Sequence, residues 1–411
     1  MELDSRQLKG LEIASTMRLR KKGSTWRVPS QNGKEESYAV QLTLDGFSCT
    51  CADNEIHNEK CKHIHAVEFS SRRETLRDGT PISTNALRPT YAQNWTAYNA
   101  AQTNEKARVM ELLRGLCDGV ESRPQGRGRP RLPLSDAIFC AVMKVYTTRS
   151  GRRATSDLRE CYELGYVTRT PHYNSIFNYL EDPDLTPILQ LMVEESASPL
   201  AGLESSFAAD SSGFSTSTYE RWFDAKYGKI KIQRYWVKCH LMVGVVTNIV
   251  TAVRMTGPDA NDSPELPDLL HTTAKRFQVE EVSADKGYAS KSNMKAIVAA
   301  GATPYIPFRA NTTGKGSDLW RRLWHFYQFK RGDFLAHYNR RSNVEATFSM
   351  IKAKFGPAVR SKTPTAQQNE VLCKVICHNL CCLVHSIYEL GIDPTFWKEP
   401  ESTDTLPQRV N

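Results

Sequence analysis

The chain has no long apolar run. Its longest such stretch, around Leu241–Val253, is interrupted by Thr247 and Asn248 and is too short to cross a bilayer. The opening residues, MELDSRQLKG, are polar and offer no apolar core of the kind a secretory leader needs. We therefore expect a cytoplasmic protein with no membrane partner. Internal repeats and low-complexity tracts are also missing, which argues against solenoid and disordered classes. Neither sign of charge dominates: 54 Lys+Arg stand against 45 Asp+Glu, a net of +9, compatible with a polyanion partner without demanding one. A chain of 411 residues with 40% hydrophobic residues can build two or three ordinary cores.

Cysteine is not scarce. With no secretory leader, the 11 Cys point to a reducing interior and a metal site, not to a disulfide framework. Residues Tyr38–Leu44 alternate in polarity, Asp45-Gly46 is a hairpin signal, and Phe47–Cys51 alternate again. On a strand, Cys49 and Cys51 would share one face. Nine residues later, Cys61-Lys62-His63 leads into a helical run. Cys49, Cys51, Cys61 and His63 thus form a C-x-C-x9-C-x-H set able to close a tetrahedral Zn²⁺ site. His57 and His65 are rival fourth ligands, and scattered free thiols are the plainer alternative.

A second pattern concerns carboxylates. Tyr338, Arg341, Glu345 and Lys352 would fall within about 60° of arc on one helix. Val344, Phe348, Ile351 and Phe355 form an apolar stripe beside them, and Gly356-Pro357 ends the run. Ser342 and Glu345 also fit a capping box, which would make the Glu merely structural. Asp210, in FAADSSGF, and Asp285, in VSADKGY, each end a weakly apolar run, as if a strand delivered a carboxylate into a turn. Two such Asp residues and a helical Glu suit a pair of Mg²⁺ ions about 3.5–4 Å apart, the arrangement that activates an attacking oxygen and stabilises a leaving one.

With these residues in place, the chain resembles the DDE transposases of prokaryotic insertion sequences. Asp210, Asp285 and Glu345 resemble the catalytic triad. Tyr338-x2-Arg341-x3-Glu345-x6-Lys352 resembles the Y-R-E-K signature of one group, and Asp285-Lys286-Gly287-Tyr288 the D-x-G-Y around the second Asp. The resemblance spans about residues 130–395. It implies Mg²⁺-dependent cleavage at transposon ends and strand transfer into target DNA, with Mn²⁺ as a possible substitute. It also implies DNA partners (terminal repeats and target), a homodimer on DNA, and a nucleoid location. Tyr338, Arg341 and Lys352 would contact that DNA. The implied fold class is α/β: a ribonuclease-H-like mixed sheet with flanking helices, preceded by a helical region and a small ββα zinc finger. The cysteine set and the Trp26 strand before it resemble a SWIM-type finger. A transposase-derived DNA-binding protein that no longer recombines is the alternative, disfavoured by the intact carboxylates.

Local patterns agree with that outline. Tyr235–Val246 and Ile249–Met255 read as paired strands, Ser263-Pro264 as the start of a helix through Phe277, and Val279–Ala284 and Thr303–Phe308 as further strands. The 59 residues between Asp285 and Glu345 leave no room for a large inserted domain. Upstream, 87–116, 136–148, 154–164, 172–180 and 186–195 read as helices. Between the first two lies an RGRPR run, in which Arg127 and Arg129 either lie in an A·T minor groove or belong to a basic linker. We expect a finger in residues 1–80, a helical DNA-binding region in 81–200, a catalytic domain in 201–395 and a tail in 396–411. Cys373, Cys377, Cys381 and His385 recur every four residues; that spacing cannot wrap one ion, so buried thiols are expected. The aromatic residues Trp320, Trp324, Phe326, Tyr327 and Phe329 are expected mostly in a core.

Overall fold

Asp4 starts the first helix, α1 (Ser5–Thr16): its carboxylate accepts from the Gln7 N–H, and the Gln7 side chain accepts from the Asp4 N–H, so each end of a capping box is filled. The computed structural model describes residues 4–17, 19–22, 25–30, 37–43, 46–57, 59–75, 94–122, 124, 131–216, 236–309 and 311–397. Contacts divide the chain into two units, Met1–Tyr91 and Ala92–Asn411.

In the first unit, strands β1 (Arg20–Lys22), β2 (Thr25–Pro29), β3 (Ser37–Thr43) and β4 (Gly46–Cys49) form an antiparallel sheet in that order. Helices α2 (Ala52–His57) and α3 (Lys62–Thr75) follow. Trp26, Val28 and Val40 pack with Ile13, Ile64 and Val67 in one core. Gly10 lets α1 lie close on α3, since a Cβ there would sit 2.5 Å from the His65 Cβ. The unit is larger than the small ββα finger expected: two additional strands and α1 complete its core. Cys51 also departs from expectation. Strand β4 ends at Cys49, and Cys51 opens the turn into α2, where its carbonyl accepts from the Asn54 and Glu55 N–H groups.

The second unit begins with helices α4 (Trp95–Asp118), α5 (Leu134–Tyr146), α6 (Gly151–Glu163), α7 (Tyr173–Leu180) and α8 (Leu185–Ala197). Their sheet comprises β5 (Ser206–Ser215), β6 (Trp236–Gly244), β7 (Val250–Thr256), β8 (Glu281–Ala284) and β9 (Thr303–Tyr305), ordered β7-β6-β5-β8-β9. Strand β5 pairs antiparallel with β6 and parallel with β8, so the sheet is mixed. Between β7 and β8, a 3-10 turn at Ser263–Glu265 precedes α9 (Leu266–Ala274), shorter than the helix through Phe277 that was expected. Helix α10 (Lys291–Ala299) carries the chain from β8 to β9. It was not foreseen, although parallel neighbours require a crossover. Its apolar face is short, with Met294 and Ile297 buried.

The remaining helices are α11 (Asp318–Phe329), α12 (Arg331–Tyr338), α13 (Ser342–Phe355) and α14 (Pro364–Leu390). Of the five aromatics on α11, Trp320 and Tyr327 are buried, Trp324 and Phe326 pack on the core's edge, and Phe329 is exposed. Helix α14 is long and apolar enough to cross a membrane by length and composition, yet 78% of its most apolar window is buried inside this unit. Cys373, Cys377 and Cys381 lie in that buried face, as the four-residue spacing predicts.

One continuous helix from Tyr338 to Phe355 does not form. Tyr338 ends α12, Asn339–Arg341 make a 3-10 turn, and α13 starts at Ser342. No capping box forms either: Ser342 already lies inside the helix, and Glu345 is bound to Arg341 instead. At its other end α13 stops at Gly356, whose φ of 86° suits glycine. The turn beyond it is fixed from two sides. Ser215 at the end of β5 exchanges backbone bonds with Pro357 and Val359, and the buried Lys374 ammonium donates to the Gly356 and Ala358 carbonyls at 2.8 and 2.7 Å.

Candidate active site and candidate metal centre

The parallel register of β5 and β8 places two of the three carboxylates. Ala209 is opposite Ala284, so Asp210 and Asp285 are the next residues on neighbouring strands. Adjacent strands lie about 4.8 Å apart, and residues level in a parallel pair point to one face. Asp285 follows the end of β8 as expected. Asp210 does not end its strand: β5 continues to Ser215, because Ser211, Ser212 and Gly213 still pair with His240, Cys239 and Lys238 of β6. Glu345 joins them through a cation. The Arg341 guanidinium donates to Asp210 Oδ2 at 2.9 Å and to Glu345 Oε1 at 2.5 Å. Arg341 and Asp210 are about one-fifth exposed, whereas Glu345 is more than half exposed.

The electrostatics follow from this half-burial. Removal from water pushes the Asp210 carboxyl up; the Ser211 N–H and Arg341 pull it down, and Glu345 and Asp285 push it up again. Tyr338 lies with its ring under the Arg341 guanidinium, 5.9 Å from the carbon, and burial raises its phenol. Lys352 reaches back toward the same strand. Its ammonium donates to Ser212 Oγ at 2.6 Å, lies 5.4 Å from the Phe214 ring, and is lowered by burial. The structure therefore gathers Asp210 of β5, Asp285 just past β8, Tyr338 at the end of α12, Arg341 in the turn after it, and Glu345 and Lys352 of α13. Arg127 and Arg129 lie outside the described residues.

Sequence reasoning missed a polar layer behind this row. Asp262 accepts from Ser211 Oγ at 3.0 Å, pairs with Lys238 at 2.6 Å, and faces His240 Nδ1 at 3.7 Å. Burial lowers the His240 imidazole, and Asp262 draws it back up. Tyr288 is 1% exposed with no hydrogen-bond partner for its hydroxyl among the described residues, and burial raises that phenol. The available signal was the pair of polar side chains, Lys238 and His240, inside the apolar run WVKCHLMV. Polar groups in a central strand need partners, and the following loop offers two carboxylates, Asp259 and Asp262.

The cysteine set in the first unit is also assembled. One ligand atom from each of Cys49, Cys51, Cys61 and His63 lies within 4.8 Å of the others, and all four residues are buried. His63 presents Nδ1 to Cys49 Sγ at 3.8 Å and to Cys61 Sγ at 3.9 Å, with its ring 4.4 Å from that of Tyr38. The rival ligands lie elsewhere: His65 contacts Glu68, and His57 is exposed on α2. The hydrogen bond from Cys49 holds the Cys61 thiol down, to about 3, against burial, and the same bond with burial pushes Cys49 up. Three sulfurs and an imidazole nitrogen at these separations suit a soft or borderline ion with four ligands.

Residues 202–380 match the family described as the transposase DDE domain. The match takes in the five strands, both Asp residues and Glu345, and it supports a transposase. No curated protein matches the chain. Among solved structures, the piggyBac transposase synaptic complex with hairpin DNA is similar at 10% identity and a TM-score of 0.34, over 70% of this chain and 73% of that one.

Proposed function

We propose that this protein is a DDE transposase that cuts DNA at the ends of its own element and joins the freed 3′-hydroxyl to target DNA. The observation that carries the reading is the carboxylate row: Asp210 and Asp285 each follow the last paired residues, Ala209 and Ala284, of two parallel strands, and Arg341 bridges Asp210 to Glu345. The strand order, antiparallel on one side of β5 and parallel on the other, suits a ribonuclease-H-like domain. The order of the parts would then be a SWIM-type finger in 1–80, a helical DNA-binding region in 81–200, the catalytic domain in 201–395 and a tail in 396–411, in a homodimer encoded by an insertion sequence.

The donor sets fit the ions this chemistry needs. Two carboxylates already held by one guanidinium, with Asp285 next to Asp210, are hard-oxygen ligands, which suits Mg²⁺, with Mn²⁺ as a substitute. Two such ions would polarise the attacking oxygen and stabilise the leaving one. The chain's own part is positioning. Arg341 would exchange its carboxylates for a phosphate, which it can grip with two N–H groups. Lys352, already half-buried beside β5, would hold the next phosphate, and Tyr338 would pack against the terminal nucleotide. Arg127 and Arg129 would follow an A·T minor groove. Cys49, Cys51, Cys61 and His63 would hold one Zn²⁺.

The test is strand cleavage on a labelled duplex carrying the element's end. Asp210→Ala, Asp285→Ala and Glu345→Ala should each abolish cleavage in Mg²⁺ while leaving DNA affinity largely intact, because affinity comes mostly from phosphates gripped elsewhere. Cleavage within about tenfold of the unsubstituted protein would remove that residue from the triad.

A further inference from the structure

Helix α6 opens GRRATSDLRECYE, and its charges are sorted by face. Arg152, Arg153 and Arg159 are exposed. The acidic side chains nearest them are engaged elsewhere: Asp157 is nearly buried and pairs with Arg149 at 3.2 Å, and Glu160 pairs with Lys106 at 2.5 Å. Among the described residues no carboxylate pairs with Arg152, Arg153 or Arg159. With Arg149, His172 and Tyr173 they line one open concavity of about 770 Å³. Tyr173 steadies the first of them, its hydroxyl 3.4 Å from Arg152 Nε and its ring 5.7 Å from the guanidinium. Three guanidiniums with no carboxylate partner, converging on one hollow beside the Arg149–Asp157 pair, repel each other unless an anion joins them.

We propose that this hollow on α6 and the start of α7 binds the phosphate backbone of duplex DNA. The inference rests on the reading of the chain as a DNA-processing enzyme and assigns that enzyme a contact surface away from its carboxylates. The dimensions select a polymer. Arg152 and Arg159 are seven residues apart, so they are about 10 Å apart along the helix axis. One DNA strand presents a phosphate about every 3.4 Å of duplex axis, roughly three over that length. A single phosphate would engage one guanidinium or two and leave the rest uncompensated. Arginine forks pair with phosphate oxygens by two N–H groups each, and the Tyr173 hydroxyl, which accepts from Arg152, adds a neutral O–H donor at the same surface. Interactions of this class position the duplex without reading its sequence.

The experiment measures fluorescence anisotropy of the full chain with a short labelled duplex across a KCl series. Replacing Arg152, Arg153 and Arg159 together by Ala should weaken binding at least tenfold at low salt. It should also make the log–log salt slope shallower by about 2.7, roughly 0.9 for each phosphate no longer neutralised. The thermal midpoint should not move, since these side chains are exposed. Ser156→Glu, which sets a carboxylate among the arginines, should weaken binding by about threefold or more. Unchanged affinity and slope in both variants, with normal DNA binding by the unsubstituted chain, would overturn this surface and leave the transposase reading standing. If the unsubstituted chain does not bind duplex DNA at all, both fail.

Discussion

The two candidate ligand clusters are built on opposite plans. Cys49, Cys51, Cys61 and His63 fall within 15 residues of one another, are all buried, and offer soft atoms to one another. Asp210, Asp285 and Glu345 span 136 residues, come from a strand, the residue just past another strand and a helix, and leave Glu345 more than half exposed beside Arg341. A closed set of soft ligands near in sequence is suited to holding a fold together, because its ion has no free position for a reactant. An open set of hard ligands is suited to chemistry, because a substrate can reach it. The difference lies in how many elements must be in place before the ligands meet, and in what they face when they do.

The strongest way to break this comparison is at the cysteines. Cys49→Ser with Cys51→Ser should remove a zinc content of about one ion per chain and unfold the first unit, because a structural zinc contributes on the order of 10 kcal/mol or more to a small domain. The second unit should still melt cooperatively. Zinc measured by plasma mass spectrometry alongside calorimetric melting decides this: an unsubstituted chain purified without chelator and free of zinc would end the structural assignment.

A smaller effect is expected at Lys374, which anchors the turn beyond α13. Burial lowers its ammonium from 10.5 to about 8. Between those values the unfolded chain holds a proton that the folded chain has released, so stability rises with pH from about 8 to 10.5; below 8 the full cost of the buried charge remains. The span corresponds to roughly 3 kcal/mol. Lys374→Met should flatten that rise in urea unfolding while leaving two carbonyls without a donor, at a cost of about 1–3 kcal/mol. An identical pH profile in the variant would show that Lys374 is not the group responsible.

Arg341 sharpens the comparison further. If its guanidinium occupies the carboxylates that a metal needs, Arg341→Ala should tighten Mn²⁺ binding without DNA by roughly fivefold, the equivalent of about 1 kcal/mol for a half-exposed ion pair. Calorimetric titration of the two proteins reads this directly, and weaker binding in the variant would mean that Arg341 instead holds the ligands in place. The smallest change is expected for Lys352→Ala, which should lower DNA affinity modestly and make the salt slope shallower by about one. A slope equal to that of the unsubstituted chain would make Lys352 an ordinary packing residue over Phe214 and Phe348.

Much of this was legible before any coordinates. The spacing of Tyr338, Arg341, Glu345 and Lys352 picked out residues that do meet beside β5, although only Glu345 and Lys352 share a helix. The C-x-C-x9-C-x-H spacing picked out, from 11 Cys and 10 His, the four residues that cluster in the structure, because short-range geometry depends on local sequence. What failed was non-local. Asp210 sits mid-strand because β6 supplies partners to the polar run beyond it, a fact that no alternation within DSSGFS reveals. The 3-10 turn at Asn339–Arg341 breaks a pattern that periodicity alone would continue. Helix α10 is too short for its periodicity to stand out, and the Asp262, Lys238 and His240 layer joins a loop to a strand more than 20 residues away.

The ladder between β5 and β8 has a consequence for how such a chain can change over generations. Asp210 and Asp285 are level only because Ala209 faces Ala284. One codon gained or lost within 281–284 would turn every later side chain of that strand to the opposite face, and Asp285 would leave its companion without any substitution at a ligand. The connection at 147–150, between α5 and α6, sets no such reading frame. Length variation among descendants of this sequence should therefore be erased from the β8 segment and collect in connections such as that loop, so an alignment of gaps alone would mark out the two strands.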